Sequence, residues 1–171
     1  MTSPRPRTLP VLLLALLLGL AAQWPGLLNP YVVNDDVRQQ LFWMRRWLDP
    51  ALYPPDLLNS YAESYVTWGV RGVYRLGAFL GLDPLFCSKL VAVGLLAWLG
   101  AILFSIADRL ADRWAAWTTL AVYGLMPGFA ANISGGLNRA FAAPLLALFV
   151  LALVRGSRPQ ARAALLAQAL F

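Results

Sequence analysis

Two adjacent carboxylates, Asp35 and Asp36, stand a few residues past the first apolar run of this sequence. Neighbouring carboxylates can hold a divalent cation such as Mg or Mn, or one of them can take a proton from an acceptor hydroxyl. A structural role competes with that chemistry. Asp36 followed three positions later by Gln39 is a capping-box pattern for a helix opening at Val37, so the pair reads as cap, site or one of each.

Arg38, Arg45 and Arg46 follow closely and could grip a phosphate or pyrophosphate headgroup, because the guanidinium fork matches phosphate oxygens bidentately. Snorkelling toward ordinary lipid phosphates is their plain alternative. Arg139, in the string Gly135-Gly136-Leu137-Asn138-Arg139, is a second candidate anion contact or an interfacial anchor. Glu63 between Tyr61 and Tyr65 combines a carboxylate with aromatics, as sugar sites do. Asn132-Ile133-Ser134 matches a glycosylation sequon, but its loop is too short and too near the membrane for that to be more than coincidence.

Other chemistries are absent from these 171 residues. There is no histidine, which removes His-based catalysis and the commonest zinc sites, and the single cysteine, Cys87, has no partner for a disulfide. No GxxxxGK[ST], GxGxxG, HExxH, CxxC or GxSxG pattern occurs, so no ATP-driven engine is encoded in this stretch.

The elements that must position the candidates are apolar runs. Apolar residues make up 60% of the sequence and the mean hydropathy is +0.61, above the roughly 45–50% apolar content of soluble domains. The expected fold is all-α, a polytopic transmembrane helical bundle with interfacial helices in a long first outer loop. Residues 1–8 read as a cytoplasmic basic leader, 9–28 as a first span, and 29–84 as the outer loop. Residues 85–107, 114–131 and 140–154 read as three further spans, the second of them kinked at Pro127. Residues 163–171 read as the opening of another helix cut short, so a longer protein is expected. A cleaved signal peptide is the alternative for 9–28, with Gly19-Leu20-Ala21 as a small-x-small site.

Within the loop, residues 37–48 read as one helix carrying Val37, Leu41, Met44 and Leu48 on one face, with Trp43 and Trp47 at headgroup level. Residues 64–82 are long enough to span, but Arg71 and Arg75 near their middle would cost at least ~2.5 kcal/mol each on insertion scales. An amphipathic helix at the outer interface is the better reading.

The net charge of +6 comes mostly from arginines flanking the apolar runs, a pattern of topology and lipid contact that leaves no nucleic-acid surface. Arg5, Arg7, Arg109, Arg113, Arg155, Arg158 and Arg162 fall on one side and Arg139 on the other. The N-terminus is therefore expected in the cytoplasm and the 29–84 loop outside the cell membrane.

The arrangement resembles the membrane glycosyltransferases of the C superfamily, which open with one transmembrane helix and a long outer loop bearing an acidic residue or pair. Asp35-Asp36 stands where that acidic motif belongs. The strings Asp36-Val37-Arg38-Gln39-Gln40, Asp49-Pro50 with Tyr53-Pro54, and Leu137-Asn138-Arg139-Ala140-Phe141 are also similar to those of a group of bacterial polytopic membrane proteins. The resemblance implies sugar transfer from a polyprenyl-phosphate donor on the outer face. Asp35 or Asp36 would be base or metal ligand, and Arg38, Arg45, Arg46 and Arg139 would contact the lipid phosphate. A transporter or flippase of a lipid-linked or anionic substrate is the rival, and so is a non-catalytic membrane subunit. A transporter calls for ionisable residues inside the spans, and the three later spans read as free of them.

Overall fold

The computed structural model describes residues 8–171, and the leader arginines Arg5 and Arg7 lie outside the described residues. Those residues are helical with no strand among them, as the apolar runs imply. Helix α1 (Thr8–Leu28) and helix α5 (Pro84–Leu110) are the two long and apolar enough to cross a membrane. At ~1.5 Å per residue they reach about 30 and 40 Å.

α5 is the central helix. α1, α6 (Arg113–Leu125) and α8 (Asn138–Val154) all pack along it. α1 approaches closely through Gly19, where a Cβ would come within 2.8 Å of the Val93 carbonyl. Tyr123 on α6 donates its hydroxyl to the Leu96 carbonyl of α5 at 2.8 Å, and Phe104 and Trp117 meet edge to face at 4.9 Å. α9 (Arg158–Leu170) folds back on α8 through Gly156, whose φ of +67° suits a residue without a Cβ.

Several boundaries differ from the sequence reading, each for a local reason. Residues 37–48 are not one helix. α2 (Asp35–Leu41) gives way to a 3-10 helix at Phe42–Trp47, which turns Trp43 inward. Trp43 is 2% exposed, packed into the bundle, and its indole N–H donates to the Gln40 carbonyl at 2.7 Å. Residues 64–82 also divide. α3 (Leu57–Ser64), capped by Asp56, ends where the segment was expected to begin, and α4 (Trp68–Phe79) follows.

The link left between the expected spans 85–107 and 114–131 shrinks to two residues. α5 continues through Asp108 and Arg109, and Asp112 caps α6 by accepting from the Ala115 N–H at 2.8 Å. Pro127 does more than kink its helix. α6 stops at Leu125, Met126 is extended, and α7 (Pro127–Ile133) restarts with proline in the first turn. The last helix opens at Arg158, five residues ahead of the expected start.

Candidate functional site

The chemistry-bearing residues collect at the end of the bundle where α1 finishes and α2, α5 and α8 begin. Asn34 starts α2: its side-chain oxygen accepts the Asp36 N–H at 3.0 Å. The cap is thus Asn34, and the expected capping role of Asp36 is overturned. Asp36 lies in the first helical turn, favourable for an anion, and forms an ion pair with the Arg139 guanidinium at 2.8 Å. Successive residues on a helix do not face each other, so Asp35 points elsewhere, exposed and outside any ion pair among the described residues.

The loop that delivers Arg139 is locked. Gly135 and Gly136 have φ of +100° and +61°, and a Cβ on either would come within 2.8 Å of a valine methyl, on Val37 and Val91 respectively. The Tyr74 hydroxyl lies 3.2 Å from the carbonyls of both glycines, and burial pushes that phenol above its ordinary pKa. Asn138, next along, donates to the Tyr65 carbonyl at 2.7 Å and accepts from the Thr67 hydroxyl at 3.2 Å, fastening the α3–α4 link to α8. Gly136→Ala is expected to cost about 1–3 kcal/mol, since it combines a strained φ with two close contacts. A fall in the thermal unfolding midpoint of the detergent-solubilised protein checks it. An unchanged midpoint would mean that the loop is not held.

The candidate phosphate-gripping arginines are mostly engaged. Arg45 donates to Asp83 at 2.6 Å, which pushes its guanidinium pKa above the ordinary value. Arg46 pairs with Glu63, the candidate sugar contact. Arg38 donates to the Tyr31 carbonyl at 2.8 Å and remains exposed. Arg71 donates to the carbonyls of Glu63 and Val66 and lies 5.6 Å over the Trp43 ring, so its charge is used within the loop.

As a divalent-cation site the acidic pair fits poorly. Its two carboxylates diverge, one is held by Arg139, and no group of three His, Cys, Asp or Glu gathers among the described residues.

Lys89, the only lysine in the sequence, belongs to no motif. It is 7% exposed, on the second turn of α5, and donates to the carbonyls of Gly26 and Asn29 at 2.6 and 2.9 Å. It therefore caps the end of α1, where helix carbonyls lack partners and favour a cation. An ionisable side chain is thus buried in a helix that read as free of them. The available signal was a lone lysine in an otherwise apolar run. Lys89 also lines a cavity of about 280 Å³ between α1, α5 and α7, together with Gln23, Asn34, Ser88 and Ser134.

Scans against family models, curated proteins and solved structures each return no match.

Proposed function

We propose that this chain is a multi-pass helical membrane protein that transfers a sugar from a lipid-linked, polyprenyl-phosphate donor at its outer face. The observation that carries the membrane part is α1. Its apolar stretch has a mean hydropathy of 2.1, yet only 17% of it is buried in the bundle, leaving Leu9, Leu12, Leu13 and Leu17 at least half exposed. In water each such side chain would forgo roughly 1.5–3 kcal/mol, whereas lipid accepts it without penalty.

A cleaved leader is disfavoured by what α1 does. Gly19 packs on α5, and cleavage after Ala21 would take that contact away. The arginine asymmetry then sets residues 29–84 outside and the α5–α6 turn inside. α6 alone is ~20 Å long, short of the roughly 30 Å hydrocarbon core, and in this reading α7 completes the crossing.

The transfer part rests on Asp35, an exposed carboxylate without an ion pair among the described residues, next in sequence to the cavity-lining Asn34. In this role it takes the proton of an acceptor hydroxyl as that oxygen bonds to the anomeric carbon. The bond from that carbon to the phosphate oxygen breaks, and the polyprenyl phosphate leaves with the electron pair. The test is transfer of a radiolabelled sugar from a polyprenyl-phosphate donor by membranes bearing the protein. Sugar should reach an acceptor supplied at the outer face. Transfer that is no greater than in membranes without the protein, across the common donor sugars, would overturn the reading.

The transporter alternative gains two observations, the buried Lys89 and the helix broken at Met126. It predicts movement of the lipid-linked substrate between leaflets without a change in its covalent structure.

A further inference from the structure

The cavity beside Lys89 does not end blindly. Ala22 and Ala130 line it and also line an adjoining apolar groove of about 290 Å³, walled by Leu18, Leu96, Tyr123, Met126, Pro127 and Phe129. Polar side chains and one cation line the first, Tyr123 is the one polar side chain lining the second, and the two share a wall. We infer that they form a head-and-tail site for a single-chain phosphate amphiphile, with the phosphate at Lys89 and the chain in the groove.

The charge balance supports an anion. An ammonium has three N–H donors, and two of those on Lys89 are taken by the carbonyls of Gly26 and Asn29. No carboxylate among the described residues lies within ion-pair distance of it; Asp83, whose charge reaches it, is paired with Arg45. A nearly enclosed cation whose nearest carboxylate, Asp83, is shared with Arg45 is under-compensated, and an anion from outside the chain adds to its balance. The Gln23 and Asn34 amides and the Ser134 hydroxyl line the same space and make no donor bond elsewhere among the described residues. These donors exceed what one carboxylate takes up and suit the several oxygens of a phosphate.

Size and depth narrow the ligand further. Each compartment is near the lower end of the 300–1,000 Å³ usual for ligand sites, which fits one head and one chain. The cavity lies level with the last turn of α1, the depth of lipid headgroups if α1 spans. The inference thus rests on the membrane placement and not on sugar transfer.

Binding, read without turnover, separates it from the proposed reaction. The full chain in neutral detergent would be titrated with farnesyl phosphate, farnesol and inorganic phosphate, using its seven tryptophans as the fluorescence signal. Farnesyl phosphate should bind saturably and more tightly than either half alone. Lys89→Met should weaken it roughly ten- to a hundredfold, to the level of farnesol, as expected for a lost charged hydrogen bond. Ala130→Leu narrows the junction yet leaves Lys89 and its carbonyl partners in place. It should weaken farnesyl phosphate while leaving inorganic phosphate unchanged, which keeps the proposal testable if Lys89→Met fails to fold. Equal binding of farnesol and farnesyl phosphate to the wild type would overturn the head site. Inorganic phosphate binding as tightly as farnesyl phosphate would overturn the lipid assignment in favour of a free anion, and undiminished farnesyl phosphate binding in either variant would overturn the shared site.

Discussion

Asp35→Asn is expected to abolish sugar transfer while changing stability by less than about 1 kcal/mol. The side chain caps no helix, since Asn34 does that, and it has no ion-pair partner among the described residues. All it contributes to folding is a charge near the start of α2, so its loss is mild. An amide cannot accept a proton as a carboxylate does, so the chemical loss should be complete. Asp36→Asn should behave differently. It removes the partly exposed pair with Arg139, a contact worth at most about 1 kcal/mol, and should lower activity only by loosening the loop beneath Asp35. The measurement is initial transfer rate normalised to folded protein for both variants. Wild-type rates in Asp35→Asn would remove the base assignment.

Trp43→Ala should be the most damaging single truncation within residues 29–84, at about 3–5 kcal/mol. The ring is almost wholly buried and donates to the Gln40 carbonyl. It meets Trp47 edge to face at 5.3 Å and carries the guanidiniums of Arg46 and Arg71 at 5.2 and 5.6 Å. Removing it therefore leaves a cavity and also exposes two cations that the ring helps to hold. Trp68, 82% exposed, is the control, because Trp68→Ala in detergent should shift the midpoint little. Similar losses in the two variants would contradict the buried position of Trp43.

These two tryptophans show where the sequence is legible and where it is not. Long apolar runs announce α1, α5 and α8 because a helix fixes about 1.5 Å per residue whatever its neighbours do. Asp112 and Asp56 can be read as punctuation for the same local reason, since a cap acts on N–H groups two or three residues away. Trp43 cannot. Whether an aromatic near a membrane faces lipid or core depends on the 3-10 turn at Phe42–Trp47, which no period in the sequence announces. The site is legible in part. The acidic pair is visible, but its division into a paired Asp36 and a free Asp35 depends on Arg139, 103 positions later and delivered by the Gly135-Gly136 loop. Arg45 and Arg46 read as free anion contacts because their partners, Asp83 and Glu63, stand 38 and 17 residues away. Lys89 gives no signal of its role because its partners are carbonyls, which every residue has.

The central claim is that the bundle is threaded through a membrane with residues 29–84 outside. Single cysteines at Leu58 and Ala111, both exposed, placed in a Cys87→Ser background and treated with a membrane-impermeant maleimide, test it most directly. In intact cells position 58 should label, while position 111 should label only after permeabilisation. Labelling at 111 with 58 silent would contradict the account.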